Sequence, residues 1–389
     1  MASIKSKPSE HLEAPDKQFQ VHIKPEIIED LKKRLAETRW PDQVENADWE
    51  YGTDLSYLKT LCNYWGNEFN WSKQEDNLNE LPHFKIKIND TNIHYIHQKG
   101  NGKNNIPLLL THGFPDSFIR FLKIIPLLTE TDKNGLSFDV IIPSVPGFGF
   151  SGIPSEQGMN PEKIAILFSS LMINELGYDK YYAHGGDWGS SITEQLAFLY
   201  PQQIAGIHLT DIPFHHLFSV PPGELTEPEK NYLETGKKWQ LAEGGYAIIQ
   251  STPPNSSYGL NDSPAGLAGW IIEKFKRWSD CNGDIENCFS KDELLNNLTI
   301  YWATTTINSA MRIYYETNKH PLRNRGIKLN VPTGVALFPK DIINAPREFA
   351  ERFFNIVQWT KHTKGGHFAA MELPELLADD IRKFVTACL

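Results

Sequence analysis

The strongest constraint on the fold is a regular alternation of short apolar runs with helical patterns. The runs "IPLLLT", "FDVIIP", "KYYAH" and "IAGIHLT" are separated by segments with apolar residues at helical spacing, such as "SFIRFLKIIPLLTE" and "PEKIAILFSSLMINELG". Strands that alternate with helices form a mostly parallel sheet covered by helices on both faces. Residues 83–212 are therefore predicted to form the first part of an α/β core, which begins with a hairpin at "HFKIKINDTNIHYIH".

The chain on either side of this region completes the predicted organisation. Residues 213–320 contain helical patterns without a convincing strand between them, which predicts an inserted helical cap. The runs "VPTGVALF" and "IVQWTKH" and a terminal helix then resume the alternation, so residues 321–389 should complete the core. Residues 1–82 combine the amphipathic helix "PEIIEDLKKRLAET" with aromatic-rich segments, and we expect this meander to wrap the core.

Composition excludes several classes of function. The net charge is −10 over 389 residues without a basic stripe, which argues against nucleic-acid binding. No apolar run reaches the length of a membrane span, and the first twenty residues have no apolar leader region, so we expect a soluble cytoplasmic protein. The four cysteines are scattered, and we predict no disulfide framework, no metal site and no cofactor. The sequence leaves the oligomeric state open, with a homodimer as one option.

A carboxylate stands at the centre of a glycine-flanked turn. In "HGGDWGSS", Asp187 lies between a predicted strand and a predicted helix. Small neighbours permit the strained turn of a nucleophile elbow, and the helix N-terminus favours negative charge. The alternative is a glycine-rich turn in which Asp187 only caps the helix.

A second loop can complete a reaction site around this carboxylate. "THGFPDS", residues 111–117, follows a predicted strand, and its turn can direct the backbone N–H of Phe114 toward a developing oxyanion. The N–H of Trp188 would be the second donor. The alternative is a tight loop without a catalytic role.

The general base and its orienting acid are predicted from chain order. His367 in "TKGGHFAAMELP" lies on a glycine-containing loop before the last helix, whereas the rival His362 should lie in or just after a strand. Asp341 in "VALFPKDI" follows an apolar strand and can orient His367. Asp211, which also follows a strand, is the competing acid.

An aspartate nucleophile restricts the bonds that can be broken. Attack on an ester or amide carbonyl would give an anhydride, whereas attack on saturated carbon gives an alkyl ester that water, activated by His367, can hydrolyse. This pattern indicates cleavage of a carbon–oxygen or carbon–halogen bond. Epoxide opening also needs a hydrogen-bond donor over the ring oxygen, and tyrosine is suited to that task.

From about residue 18 to its end, the chain resembles the microsomal-type branch of the epoxide hydrolases in the α/β-hydrolase superfamily. The resemblance rests on "RWPD", "HGFPDSF", "PSVPGFGFS", "GGDWGS", "YAIIQST", "YWATTTI" and "GGHFAAMELPELL". It implies an α/β-hydrolase fold with an inserted cap and an N-terminal wrapping meander. It also implies Asp187 as nucleophile, His367 as base, and Tyr246 and Tyr314 as donors to the epoxide oxygen, with Tyr315 as the alternative to Tyr314.

Two departures from the family pattern are visible. The hydrophobic N-terminal anchor of the membrane-bound animal members is not seen, so the chain is similar to the anchorless members. Asp341 occupies the position of the orienting acid, where some relatives have glutamate.

These features together predict a cofactor-free enzyme that converts small apolar epoxides and water to vicinal diols. A haloalkane dehalogenase with the same Asp187 and His367 is the first alternative. The second is a catalytically silent hydrolase fold that binds a ligand. The physiological substrate stays open.

Overall fold

The computed structural model describes residues 18–220, 224–324 and 326–389. Three predicted regions extend beyond these residues: residues 1–17 of the meander, 221–223 of the cap and 325 of the second core segment lie outside them.

The described residues form one sheet of eight strands in the order β1-β2-β4-β3-β5-β6-β7-β8. The strands β1 and β2 are antiparallel and form the predicted hairpin, and β2 is antiparallel to β4. Every later pairing is parallel, which confirms the mostly parallel sheet. The bounds are β1 His83–Ile88, β2 Thr91–Gln98, β3 Ile106–Thr111, β4 Phe138–Pro143, β5 Tyr181–Gly185, β6 Ile204–Leu209, β7 Pro332–Leu337 and β8 Asn355–Lys361.

The strand order determines where a site can form. The chain passes from β3 to β4 on one side of β3 and then to β5 on the other side. Crevices at the carboxyl ends of parallel strands open where the order reverses in this way. The loops after β3 and β5 therefore meet at one place. Both β4 and β5 are buried along their whole length, as expected for strands covered on both faces.

The α-helices of the described residues are numbered in chain order. Their bounds are α1 Pro25–Ala36, α2 Leu55–Asn67, α3 Trp71–Asn79, α4 Ile125–Thr129, α5 Pro161–Ser170, α6 Trp188–Leu199, α7 Glu227–Ala242, α8 Gly245–Ser251, α9 Ser256–Asp262, α10 Pro264–Arg277, α11 Lys291–Thr304, α12 Ile307–Lys319, α13 Arg347–Ala350, α14 Ala369–Glu372 and α15 Pro374–Cys388. Shorter 3₁₀ turns span Phe118–Phe121, Phe214–Phe218 and Ile285–Asn287, and a π-helical turn spans Leu171–Glu175.

One predicted helix is divided in the structure. The segment "SFIRFLKIIPLLTE" forms the 3₁₀ turn Phe118–Phe121 and the separate short helix α4 instead of one helix. Pro126 lies in the first turn of α4. Proline has no N–H to donate and its ring clashes with the preceding turn, so a helix can begin at this residue but cannot continue through it.

The N-terminal segment packs against the cap as well as the core. The indole Nε1 of Trp65 on α2 donates to Thr299 Oγ1 on α11 across 2.9 Å in a buried contact. The hydroxyl of Thr53 donates to the carbonyl oxygen of Gly269 on α10 across 2.6 Å. These contacts fix the cap helices from outside the sheet. None of the helices in the described part of the chain combines the length and apolar character needed to span a bilayer.

Candidate active site

The backbone at Asp187 has the geometry of a strained elbow. Its φ of 59° and ψ of −128° lie in a region that residues with a side chain rarely occupy. The turn closes because its flanking residues are glycines: a Cβ on Gly185 would lie 2.1 Å from the carbonyl oxygen of Gly189, and one on Gly189 would lie 2.0 Å from that of Thr111. The strain projects the Asp187 carboxylate from the end of β5.

This carboxylate is held between the loop after β3 and the base. The backbone N–H of Phe114 donates to Asp187 Oδ1 across 2.7 Å, and His367 Nε2 lies 3.6 Å from Oδ2. Burial raises the pKa of Asp187, while His367 and the backbone N–H groups of Phe114 and Trp188 oppose that rise. The structure thus brings both predicted oxyanion donors to the predicted nucleophile.

His367 is buried and is oriented by Asp341. The Nδ1 atom of His367 lies 2.7 Å from Asp341 Oδ1, so Nε2 is directed toward Asp187. Burial alone would lower the pKa of His367, but the Asp341 carboxylate and its hydrogen bond, helped by Asp187, raise it to about 9. The rival His362 instead lies 3.4 Å from Asp380, outside this group.

The competing acid Asp211 has a different position. Its Oδ1 accepts the backbone N–H of Asp187 across 2.8 Å and the hydroxyl of Ser190 across 2.7 Å. Burial and the nearby Asp341 charge raise the pKa of Asp211 to about 7. Asp211 therefore supports the elbow, and Asp341 is the acid in contact with the imidazole.

Tyr246 and Tyr314 come from cap helices α8 and α12 and face the same cavity as Asp187. Their ring centroids are 6.0 Å apart, and the ring of Tyr314 stands edge-on to Trp188 with centroids 4.7 Å apart. Burial, together with the Asp187 charge, raises the pKa of both phenols, so both remain donors at neutral pH. Tyr315 does not line the cavity, and the ammonium of Lys319 lies 5.6 Å from the centre of its ring.

The cavity has a volume of about 540 Å³, and Asp187, Asp341 and His367 line it together with apolar side chains. A volume of this size suits a small organic ligand. Trp239, Leu322 and Ile343 contribute apolar surface, while Thr317 and Asn318 add polar groups.

A buried arginine, which no sequence pattern indicated, connects the two loops of the site. Arg120 and Asp116 form an ion pair, and each is at most 2% exposed. Asp116 Oδ1 accepts the backbone N–H of Gly113 across 2.9 Å, and Arg120 donates to the backbone carbonyl of His367. The pair thereby links the loop after β3 to the loop that carries His367. In the sequence, Arg120 stands alone in an apolar run, as a surface residue of a helix would.

Two buried residues and one partly buried residue form a group that could hold a metal ion. Glu194, His215 and His216 present ligand atoms that all lie within 4.8 Å of one another. No metal site is predicted from the sequence, and spacing does not indicate this group because the glutamate and the histidine pair belong to different elements. Among the described residues, Asp187, Asp341 and His367 do not form such a group of potential metal ligands.

Replacing Arg120 by methionine should lower the free energy of unfolding by about 3–5 kcal/mol, because the buried Asp116 carboxylate would lose the guanidinium that balances its charge. Denaturant unfolding measures this. The matched control is Arg347→Met, which removes an exposed arginine–glutamate pair at the same i,i+4 spacing, and should change the free energy by less than about 0.5 kcal/mol. Equal effects of the two substitutions would contradict the structural role of the buried pair.

Comparisons with known proteins agree with this architecture. Residues 16–121 match the family model "Epoxide hydrolase N terminus", and residues 106–241 match "alpha/beta hydrolase fold". A putative epoxide hydrolase of Stigmatella aurantiaca is 40% identical over 94% of this chain and 83% of its own length. Epoxide hydrolase 1 of Sus scrofa is also 40% identical, over 94% of this chain and 88% of its own length.

Solved structures of epoxide hydrolases are also similar to this chain. The juvenile hormone epoxide hydrolase of Bombyx mori has a TM-score of 0.87 at 32% identity and covers 96% of this chain and 94% of its own. The epoxide hydrolase of Aspergillus niger has a TM-score of 0.84 at 29% identity, with 96% of each chain covered. With its eight-stranded sheet, its aspartate elbow and these relatives, the chain belongs to the epoxide hydrolase family of the α/β hydrolases.

Proposed function

We propose that the protein hydrolyses small apolar epoxides to vicinal diols through a covalent ester on Asp187, without a cofactor. The observation that supports this most directly is the placement of Asp187 in one cavity with two buried tyrosines from the cap. A nucleophilic carboxylate faces two neutral donors there, which is the arrangement that ring opening requires.

In the first half-reaction Asp187 attacks an epoxide carbon. One carbon–oxygen bond of the ring breaks with its electron pair on oxygen, and that oxygen takes a proton from Tyr246 or Tyr314. Because burial and the Asp187 charge raise the pKa of both phenols, each is protonated and ready to donate before attack.

In the second half-reaction His367 takes a proton from water, which attacks the carboxyl carbon of the ester. The Phe114 N–H already points at Asp187 Oδ1 across 2.7 Å, and with the Trp188 N–H it would stabilise the oxyanion. Collapse of the intermediate returns the His367 proton to the departing diol oxygen. The remaining proton, released as Asp187 ionises again, restores the tyrosine.

The substrate class, the location in the cell and the assembly of the protein are also proposals. We infer an apolar substrate from Trp239, Ile342 and Ile343 in the cavity wall. Location in the cytoplasm and a homodimeric assembly stay predictions, and sedimentation of the purified protein tests the latter. A panel of aryl, alkyl and terpene epoxides with bromoalkanes, scored for diol and bromide, separates this function from dehalogenation.

The rate of ester hydrolysis should rise with pH and level off below pH 9. The base acts when neutral, and the free protein holds the pKa of His367 at about 9 partly through the Asp187 charge. Ester formation removes that charge, so the pKa in the intermediate should be lower than in the free protein. Single-turnover fluorescence, reported by Trp188, measures the pH profile.

Asp341→Asn provides the second arm of this experiment. It removes the charge that does most to raise the pKa of His367, so the rise in the rate of ester hydrolysis (the acidic limb of the pH profile) should move to lower pH. The maximal rate should fall because the imidazole loses its orienting carboxylate. An acidic limb that does not move would count against Asp341 as the orienting acid.

His367→Gln should form the ester and fail to release it. Mass spectrometry should then find protein heavier by one substrate molecule, while His362→Gln, the neighbouring histidine outside the site, should turn over normally.

With excess wild-type protein in ¹⁸O-water, the first diol should contain only ¹⁶O at the attacked carbon, because that oxygen comes from Asp187. Diol labelled in the first turnover would mean direct attack by water.

Phenylalanine at either Tyr246 or Tyr314 should slow ester formation by roughly 10–100-fold, because one donor to the ring oxygen is lost and one remains. The double substitution should slow it more than either single change. Tyr315→Phe is the matched control, and rapid-mixing kinetics should find its rate within about twofold of wild type. A larger effect at Tyr315 than at Tyr314 would reverse the assignment of the second donor.

A further inference from the structure

A group of three potential metal ligands lies at the cavity wall, apart from the catalytic residues. Glu194 comes from α6, the helix that begins next to Asp187, and His215 and His216 come from the 3₁₀ turn Phe214–Phe218 that leads into the cap. Glu194 and His216 are fully buried. The side chain of His215 is 14% exposed and lines the cavity, so the group can be reached from that side.

The two imidazoles share one carboxylate. His216 Nε2 lies 2.6 Å from Glu194 Oε1, and His215 Nε2 lies 3.3 Å from Oε2. Each carboxylate oxygen therefore faces the Nε2 atom of a different ring. One ligand atom from each of the three residues lies within 4.8 Å of the other two.

The buried charge of Glu194 needs a partner. Among the described residues, its ion-pair partners are these two histidines, which are charged only when protonated. Both Glu194 and His216 are fully buried, and a carboxylate out of contact with water is stable only when its charge is paired. A divalent cation would neutralise the carboxylate while leaving both imidazoles neutral, the form in which they are ligands.

The ligand set matches one class of ion. Two neutral imidazoles and a carboxylate are the three protein ligands of many Zn²⁺ sites, in which the fourth position is open to water. Ligand atoms around tetrahedral Zn²⁺ at about 2.0–2.2 Å are separated by roughly 3.4 Å. The 3.3 Å separation of His215 Nε2 and Glu194 Oε2 meets this value. His216 Nε2 lies 2.6 Å from the other carboxylate oxygen, Oε1, so a side-chain rotation is needed to bring it to the same ion.

We propose that Glu194, His215 and His216 form a binding site for a divalent transition-metal ion, with Zn²⁺ as its representative and the fourth ligand supplied from the cavity. A bound ion would tie the start of the cap to the helix that follows the elbow. This inference does not depend on the proposed catalytic mechanism.

The full-length protein, stripped with a chelator and dialysed, would be titrated with Zn²⁺ alone against a chromophoric competitor, and its melting temperature would be recorded. We expect one high-affinity ion per chain and a rise in melting temperature with Zn²⁺ concentration. Co²⁺ in place of Zn²⁺ should give the visible absorption of a four-coordinate ion. Glu194→Gln should weaken Zn²⁺ binding at least tenfold and shift both the melting-temperature rise and the Co²⁺ absorption to higher ion concentration.

Two exposed histidines serve as controls for adventitious binding. His22 and His320 each lie 3.6 Å from a glutamate oxygen, but their side chains are 68% and 48% exposed. Their replacement by glutamine should leave the high-affinity ion in place. If Glu194→Gln fails to fold, His215→Asn, which alters the cavity-facing ligand, should show the same loss of affinity. One ion bound with wild-type affinity by either variant, or none bound by the wild type, would overturn the proposal.

Discussion

The site depends on the short hydrogen bond between the backbone N–H of Phe114 and the carboxylate of Asp187. It joins the loops after β3 and β5, two strands that are hydrogen-bonded neighbours in the sheet but separated by β4 and α5 along the chain. Close approach requires glycine at position 113, where a Cβ would lie 2.2 Å from Asp187 Oδ1. In the proposed mechanism the same N–H would have two successive tasks, because the oxygen that it holds in the resting protein is the one on which negative charge would develop when the ester is hydrolysed.

Several buried charged residues lie around this hydrogen bond. Asp187, Asp341 and Asp211 stand close enough for their charges to influence one another or the same histidine. Two cations offset them: His367, whose pKa Asp341 and Asp187 raise, and Arg120, which binds Asp116 in the loop after β3. Placing charges together in a dry site makes each electrostatic interaction stronger, and it makes the loss of any one partner costly.

Much of the fold could be predicted from local pattern, and the failures have local causes. Apolar runs located the strands, and a break in their alternation located the helical block between β6 and β7. The segment around Phe118–Phe121 was predicted as one helix because its apolar spacing is helical, yet Pro126 divides it. Apolar spacing indicates which residues face the core, but it takes no account of the backbone N–H that a proline such as Pro126 lacks.

The sequence alone determined the chemistry that is available: an aspartate in a glycine turn, a histidine on a late loop, acids after strands, and aromatic residues in the cap. Only the tertiary structure decided which of these groups meet. It put Asp341 at 2.7 Å from His367 and turned Asp211 toward the elbow, and it directed Tyr314 but not Tyr315 into the cavity. It also assembled Arg120 with Asp116 and the His367 carbonyl, and Glu194 with two histidines. The physical reason is that local pattern reports burial and backbone preference, whereas a site is a set of distances between residues that are remote in the chain.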